Sequence, residues 1–333
     1  MNSSYLKDQR EVKESLYSAH NRALIELAGK NPQIVSCYAD FPAGDVGKVF
    51  QESFPDRFID VGIAEGHLIS AAAGLAEAGF IPFTHCHTLF GLGRGYNQIR
   101  QNVVYDNRNV KIVLCNSGVI WEGIGPSHHS IEDIAALRAI PNLVIISPAD
   151  AVEAAKATFA AAEYNGPVVM RLPSAGDSFT TLFTQDLEFT IGKGVIVREG
   201  SDVSIIATGI LVAEALQAAE KLEEKGINAR LIDMHTLKPL DTEIVLSAAA
   251  ETGAIVTVED ATIIGGLGGA VAELVCERNP VPVMRVGIKD QFGDSGTCYE
   301  LQACYGLTSG SILETVHAAL ALKNNISNCK ENT

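Results

Sequence analysis

The sequence predicts an α/β protein built from two doubly wound domains. Short β-branched runs, such as Lys111–Cys115, alternate with helices rich in alanine, and this pattern is typical of strand–helix–strand units on a parallel sheet. Two such sets occur along the chain, separated by an irregular stretch after Pro173. With 333 residues, the chain is long enough for each set to bury a core of its own.

The first set begins with a helix at residues 11–27, where apolar residues recur with helical periodicity before Asn31-Pro32. The elements predicted after it are strands 34–37, 58–61, 81–86, 111–115, 143–147 and 167–172, and helices 65–78, 92–105, 131–139 and 151–164. Parallel strands carry their ligand-binding loops at one edge of the sheet. The loops expected at that edge are 38–44, 62–66, 86–90, 116–130 and 171–176.

The second set shows the same alternation. It predicts strands 203–207, 229–233, 254–259 and 281–286, and helices 211–225, 242–252, 268–277 and 311–323. We therefore predict a first domain over residues 12–176, a linker over 177–194 and a second domain over 195–324.

Composition argues against several classes of function. The net charge of −15, without a basic stripe, disfavours nucleic acids and anionic membranes as partners. Neither a leader peptide nor an apolar run of about 18 residues is visible, so we expect no secretion or membrane insertion. The seven cysteines contain no C-x-x-C pair and lie mainly in apolar patterns, which indicates reduced thiols in the cytoplasm.

One acidic residue stands out in the stretch from Asp60 to Ala76. A strand ends near Val61, Gly62 breaks it, and Glu65 opens an alanine-rich helix among small and apolar neighbours. A carboxylate in a first helical turn is stabilised by the helix dipole, so a purely structural role is open. The wider pattern of motifs favours a functional role.

Seven motifs follow one another along the chain. They are Gly62-Ile63-Ala64-Glu65; Phe90 with Gly95-Tyr96-Asn97-Gln98-Ile99-Arg100; Gly125-Pro126-Ser127-His128; Ile131-Glu132-Asp133; Arg138-Ala139-Ile140-Pro141-Asn142; Leu237-Lys238-Pro239-Leu240-Asp241; and Phe292-Gly293-Asp294-Ser295-Gly296. Each is weak alone, but in this order they resemble the C-terminal half of transketolase over residues 15–322. The resemblance implies a pyrimidine-binding domain for thiamin diphosphate, followed by the transketolase C-terminal domain.

The resemblance also implies a partner chain. The family holds the cofactor's diphosphate through Mg²⁺ on a G-D-G…N motif, normally in an N-terminal domain, and this sequence contains no G-D-G. We therefore expect the C-terminal subunit of a split transketolase. Its partner is an N-terminal subunit carrying that motif, in a heterotetramer with two copies of each chain. This chain is expected to supply no metal ligand.

By resemblance, four residues carry the cofactor site and the chemistry. Glu65 bonds N1′ of the aminopyrimidine, and its apolar neighbours are expected to withdraw water from it. Phe90 corresponds to the aromatic residue that stacks on the pyrimidine, although a core phenylalanine is the structural alternative. Asp40 matches a loop acid near the thiazolium. His128 matches the histidine that exchanges a proton with the substrate oxygen.

The substrate positions differ from the family pattern. Arg171 matches an arginine that binds the sugar phosphate, a role suited to its bidentate geometry. The family's other substrate groups are replaced by Tyr17, Gly44, Asn116, Ile124, His87 and Gly93. We therefore expect Arg171, His87, Asn116 and His128 to contact a substrate that differs from the standard pentose phosphates.

The run His85-Cys86-His87 permits three interpretations. Two histidines at alternate positions of a strand face the same side and could form a metal pair, although no third ligand is visible nearby. His87 could instead contact the substrate, or both histidines could be structural.

Three functions are compatible with the sequence. The first is transfer of a two-carbon ketol unit by a transketolase-like enzyme, a transferase of aldehyde or ketone residues in carbohydrate metabolism. The second is a related enzyme, either a deoxyxylulose-phosphate-synthase-like acyloin synthase or the beta subunit of a 2-oxoacid dehydrogenase. The third is a catalytically silent regulatory subunit. The loop Gly125-Pro126-Ser127-His128 favours transketolase or the synthase over the dehydrogenase, and the retained Glu65, Phe90 and His128 argue against a silent subunit.

Overall fold

Strands and helices alternate along the first half of the chain. The computed structural model describes residues 4–7, 13–40, 44–119, 124–173 and 177–331, with backbone alone for 44–47 and 327–331. The elements are β1 (Lys13–Glu14), α1 (Leu16–Lys30), β2 (Ile34–Tyr38), α2 (Gly44–Ser53), β3 (Phe58–Asp60), α3 (Glu65–Glu77), β4 (Ile81–His87), α4 (Thr88–Gln98), β5 (Lys111–Cys115), α5 (Asp133–Arg138), β6 (Val144–Ile146), α6 (Ala151–Glu163), β7 (Val168–Arg171) and β8 (Phe179–Thr180). A wider helical turn, Ile99–Val104, continues α4.

The second half repeats the alternation. Its elements are β9 (Val195–Arg198), β10 (Val203–Ala207), α7 (Leu211–Glu223), β11 (Ala229–Asp233), β12 (Thr236–Lys238), α8 (Thr242–Thr252), β13 (Ile255–Thr262), α9 (Leu267–Arg278), β14 (Val283–Ile288), α10 (Cys298–Cys304) and α11 (Ser309–Glu331). The two-set α/β architecture predicted from the sequence is confirmed.

The first sheet has the order β12-β6-β7-β5-β4-β2-β3, and all its pairings are parallel except the one between β12 and β6. The strands β2 and β5 are buried at every position, as expected for a parallel sheet covered by helices on both faces. The carboxyl ends of β2, β3, β4, β5 and β7 consequently share one edge.

The second sheet has the order β14-β13-β10-β11-β9, with only β9 antiparallel. The sequence pattern alone does not reveal that β12, which lies between β11 and α8, leaves this set and extends the first sheet. Polar contacts strengthen this junction, because Lys238 Nζ donates to the carbonyl oxygens of Arg138 and Ile140 at 2.8 and 2.5 Å. The domain bounds stay a prediction, and residues 12 and 176 lie outside the described residues.

Two helices were not predicted, α2 and α10, and α4 begins at Thr88 rather than at residue 92. The glycines of α4 weaken the helical signal in the sequence. Packing explains Gly91, where a Cβ would collide with Cys86 Sγ, whereas a Cβ at Gly95 would make an ordinary contact with Ile69 Cγ1 at 3.4 Å. Phe90 therefore belongs to a helix and not to a loop.

Among the described residues, no helix has the length and apolar character needed to cross a membrane. Cys37, Cys86 and Cys115 are buried and free of disulfide bonds.

Candidate active site

The candidate site lies at the edge of the first sheet where the parallel strands end. Asp40 follows β2, Glu65 follows β3, Phe90 follows β4, and Asn116 follows β5. Arg171 is the last residue of β7. The parallel pairing of these strands places the five positions along one edge, which is where ligands bind in such sheets.

Glu65 is the first residue of α3, and its side chain is almost entirely buried. Gly62 turns the chain between β3 and α3 with a φ of +70°, a conformation that favours glycine. The Glu65 side chain keeps 5% of its exposure, and its two oxygens accept hydrogen bonds from Arg94 Nη1 at 3.2 and 3.1 Å. Such a partner is expected, because a buried carboxylate without one is costly.

Arg94 also lies over the ring of Phe90. The two residues are four apart on α4 and therefore share a face of the helix. Arg94 Cζ is 4.7 Å from the centre of the Phe90 ring, which is a cation–π contact. A single guanidinium group thus links the buried carboxylate to the aromatic ring, and 55% of the Arg94 side chain remains exposed.

Two histidines pack against the same phenylalanine. The ring centres of His87 and His128 lie 4.9 and 5.1 Å from that of Phe90, and 5.4 Å from each other. Burial, with the neighbouring His128 and His129, lowers the pKa of His87 to about 4. His87 is therefore neutral near pH 7, and its ring can donate one hydrogen bond and accept another.

The loop that carries His128 is closed at its base. Gly118 and Ser130 exchange backbone hydrogen bonds of 2.9 and 3.2 Å, and the ring nitrogen Nδ1 of His128 lies 2.9 Å from the Ser127 hydroxyl. These contacts hold His128 near Phe90 although the loop is long. Ile124, in the same loop, is 45% exposed.

Asp40 follows the end of β2, and its own backbone N–H fixes it there. Its φ is +46°, and its N–H donates to Asp60 Oδ1 at 3.1 Å. The same oxygen accepts from Gly62 N–H at 2.9 Å. Asp60 therefore joins the Asp40 loop to the turn before Glu65. The role of Asp40 near the thiazolium stays a prediction.

Arg171 is buried in an ion-pair network. Its Nε donates to Asp133 at 2.7 Å, its Nη1 to the Asp260 carboxylate at 2.5 Å, and its Nη2 to the Asp260 carbonyl at 3.0 Å. Burial lowers its pKa, but the two carboxylates outweigh that effect and the pKa is raised. Asp260 belongs to β13, so Arg171 connects the two sheets. The role of Arg171 towards substrate stays a prediction.

Three positions at which this chain differs from the family's substrate-binding residues lie in α1, after β5 and at the start of α2. Tyr17 is buried in α1, with its ring centre 6.2 Å from that of His85, and burial raises its pKa well above the usual value. Asn116 is buried in the left-handed conformation, φ +60°, which asparagine tolerates, and its N–H donates to the Pro173 carbonyl at 3.2 Å. Gly44 is the first residue of α2.

His85 and His87 have different surroundings. His85 is fully buried, its Nε2 lies 3.0 Å from His20 Nε2, and its Nδ1 lies 3.4 Å from the Ser36 hydroxyl. Burial, followed by the effect of His20, lowers the pKa of His85 well below its usual value. Within the described ranges, no group of three or more His, Cys, Asp or Glu side chains could hold a metal ion. These contacts favour a structural role for His85, whereas His87 faces the candidate site.

The structure therefore brings Glu65, Phe90, His87 and His128 together, whereas Arg171 is engaged in the ion-pair network. The sequence motifs assign no role to Arg94. Arg94 is one helical turn from Phe90, and this spacing places the two side chains on one face of a helix. The spacing is informative only if the helix begins before Phe90, whereas the predicted helix begins at residue 92. Asp133 and Asp260 were missed as well, because pairing across the two halves of the chain leaves no local pattern.

Family models match both halves of the chain. The transketolase pyrimidine-binding domain matches residues 14–175, and the transketolase C-terminal domain matches residues 192–312. The first range contains Glu65, Phe90, His87 and His128.

Curated and solved proteins agree with these matches. The chain is 43% identical to a 6-deoxy-6-sulfo-D-fructose transketolase subunit of Clostridium sp. (strain MSTE9), over 90% of this chain and 93% of that protein. It is 40% identical to a 1-deoxy-D-xylulose-5-phosphate synthase of Geobacter sulfurreducens, over 90% of this chain but 47% of that protein. A solved split-gene transketolase, an inactive β4 tetramer, superposes with a TM-score of 0.86 at 42% identity, covering 93% of this chain and 99% of that one.

Proposed function

Because this chain belongs to the transketolase family, we propose that it is the C-terminal subunit of a two-chain enzyme dependent on thiamin diphosphate. The enzyme transfers a two-carbon ketol unit from a ketose donor to an aldehyde acceptor. One observation carries this proposal: the buried Glu65 carboxylate and the Phe90 ring are two contacts of one guanidinium group. A planar nitrogen-rich group therefore fits between them, and an aminopyrimidine is such a group.

Thiamin diphosphate, when bound, supplies the carbanion chemistry of the reaction. The residues of this chain would orient the cofactor and exchange protons with the cofactor and the substrate. Glu65 holds a proton at N1′ of the pyrimidine, and Phe90 stacks on the ring. His128 exchanges a proton with the substrate oxygen, and its contact with Phe90 supports this assignment. Neutral His87, beside Phe90 and His128, would offer a hydrogen bond to substrate, and Asp40, at the same sheet edge, would lie near the thiazolium.

Mg²⁺ and the diphosphate require residues from a partner. Mg²⁺ prefers carboxylate, phosphate and water oxygens, and the G-D-G…N motif that holds it in the family is not found in this sequence. We propose that an N-terminal subunit with the G-D-G…N motif supplies them, in a heterotetramer of two copies of each chain. The similarity to a split-gene transketolase whose β4 tetramer is inactive supports this requirement. The free cysteines support a cytoplasmic location.

The substrate differs from the standard pentose phosphates. Arg171 already donates to two buried carboxylates, and Tyr17 is buried where the family carries a second phosphate arginine. We propose a ketose or aldehyde without the usual terminal phosphate, or with another anion such as a sulfonate or carboxylate. The 43% identity with a sulfofructose transketolase subunit supports a sulfonate among these choices.

A deoxyxylulose-phosphate-synthase-like reaction is the second candidate, supported by 40% identity over 302 residues. The two reactions differ in their donor, which is a ketose for the first and pyruvate for the second. Product analysis with each donor separates them. The beta subunit of a 2-oxoacid dehydrogenase is a weaker candidate, and its acyl group would be passed to lipoamide.

The test is reconstitution. The chain, the candidate partner and their mixture are each titrated with thiamin diphosphate and Mg²⁺ by calorimetry, and then assayed for ketol transfer. We expect tight binding and turnover in the mixture alone. Tight, Mg²⁺-dependent binding by this chain by itself would overturn the partner requirement, and a mixture that assembles but binds no cofactor would overturn the proposed function.

A further inference from the structure

Arg94 holds the two groups that the proposed function assigns to the cofactor's pyrimidine. Its Nη1 donates to both oxygens of Glu65, at 3.2 and 3.1 Å, and its Cζ lies 4.7 Å from the centre of the Phe90 ring. A pyrimidine stacked on the same face of Phe90 and bonded to Glu65 requires the same space. The guanidinium group and the aminopyrimidine ring are both flat and able to stack on an aromatic ring, and each would bond Glu65 through a nitrogen.

The position of Arg94 is set by close packing of α3 against α4. A Cβ added at Gly66 would lie 3.4 Å from the Arg94 carbonyl oxygen, and one added at Gly95 would lie 3.8 Å from the Glu65 carbonyl oxygen. Both distances are those of ordinary van der Waals contact, so the two helices lie close together at these positions. The Arg94 backbone therefore lies close to the first turn of α3, which begins at Glu65.

Arg94 can also leave without disturbing the core. Its side chain is 55% exposed, whereas that of Glu65 is 5% exposed. The carboxylate is thus fixed and buried, and its cation reaches it from the solvent side. A partly exposed ion pair of this kind is weak enough to be exchanged for another hydrogen-bond donor.

We propose that Arg94 is a place-holder for the aminopyrimidine: it occupies the Glu65–Phe90 site in the subunit and yields it to the cofactor during loading. This inference rests on the proposed function, because that function assigns Glu65 and Phe90 to the cofactor. The place-holder compensates the buried carboxylate in the separate subunit and covers the aromatic face. It competes with the cofactor, so the affinity of the site is lower than the Glu65–Phe90 geometry alone allows.

The test compares three variants of the complex reconstituted with the partner subunit. Arg94→Met keeps the length of the side chain but removes its charge and donors, and Arg94→Lys keeps the charge without the flat fork. Arg100→Met is the matched control, because Arg100 is also exposed and lies on the helical turn that continues α4. Calorimetry then measures the dissociation constant of thiamin diphosphate at saturating Mg²⁺, independently of turnover.

We expect Arg94→Met to bind thiamin diphosphate about two- to fivefold more tightly, the scale of losing a partly exposed ion pair. Arg94→Lys should fall between Arg94→Met and the wild type, and Arg100→Met should match the wild type. Equal or weaker binding by Arg94→Met overturns the place-holder, because Arg94 then supports Glu65 in the loaded site. Failure of the wild-type complex to bind the cofactor would instead overturn the proposed function.

A second measurement needs neither partner nor cofactor. In the single chain, unfolding of Glu65→Gln, Arg94→Met and the double variant forms a double-mutant cycle. We expect the pair to couple by about three- to tenfold in the unfolding equilibrium constant. If the changes in unfolding free energy are additive, Arg94 and Glu65 do not interact and the place-holder proposal is wrong. This result is independent of whether the proposed function is correct.

Discussion

Arg171→Met should destabilise the protein strongly, because Arg171 compensates two buried carboxylates. The Asp133 side chain is fully buried and that of Asp260 is 2% exposed. Removal of the cation deletes three hydrogen bonds and leaves these like charges facing each other away from water. Breaking one side of a buried ion pair costs about 3–5 kcal/mol, so we expect the free energy of unfolding to fall by about that amount.

Arg138→Met is the matched control. Arg138 also crosses the junction between the two halves, but it donates to the carbonyl oxygens of Gly265 and Gly266 and to the exposed Glu273. The loss of Arg138 leaves no buried charge without a partner, so we expect the free energy of unfolding to fall by only about 1–3 kcal/mol. The double variant Arg171→Met/Asp260→Asn should recover part of the deficit, because one of the two uncompensated carboxylates is removed.

The deficit should depend on pH. Burial raises the pKa of Asp260, and Arg171 opposes that shift. Without Arg171 the pKa should rise further. A carboxyl group with a raised folded-state pKa stabilises the protein most at low pH, and this contribution is lost as the pH rises through the folded value. The free energy of unfolding of Arg171→Met should therefore be closest to that of the wild type in acid and furthest from it at neutral pH.

Chemical denaturation at pH 5 and pH 7.5 measures these differences. An Arg171→Met variant no less stable than Arg138→Met at pH 7.5 would refute the reasoning. If that variant also required a much higher substrate concentration, the data would instead favour the substrate role predicted for Arg171 from the sequence.

Three further predictions concern chemistry, acid stability and substrate. Glu65→Gln should lower turnover roughly 10²-fold or more by removing acid–base help, while size-exclusion chromatography shows normal assembly; near-normal turnover would contradict its role. Burial lowers the pKa of His87 to about 4, so its contribution to stability is present above about pH 6.5 and is lost as the pH falls through that folded value. His87→Gln should flatten the acid limb of a stability–pH profile, and an unchanged slope would count against this assignment. On the reconstituted complex, kcat/KM should be higher for ketoses with no terminal phosphate or with a sulfonate than for xylulose 5-phosphate; a strong preference for xylulose 5-phosphate with ribose 5-phosphate would contradict that expectation.

Much of the fold follows from local pattern. The strands β2, β5, β10 and β11 begin at the predicted residues, because short β-branched runs between helices have few alternative structures. The helix α4 was placed too late, because Gly91, Gly93 and Gly95 weaken the helical signal. The need for glycine at position 91 becomes visible only in packing, because a Cβ there would collide with Cys86.

The candidate site could also be predicted only in part from the sequence. Glu65, Phe90 and His128 could be chosen from motif order, since each lies in a short segment with characteristic neighbours. The contact of Phe90 with His128 could not be read from the sequence, because the rest of α4, β5 and a long loop lie between the two residues.

The sequence by itself determined the two-set α/β architecture, the family resemblance and the residues at the carboxyl edge of the first sheet. These depend on periodicity, turn residues and short motifs, all of which are local. Only the tertiary structure decided that Arg171 pairs with Asp133 and Asp260, and that Arg94 joins Glu65 to Phe90. A charged side chain takes whichever partner the fold brings within about 3 Å, and for a long arginine that partner can be almost 90 residues away or on a neighbouring helix.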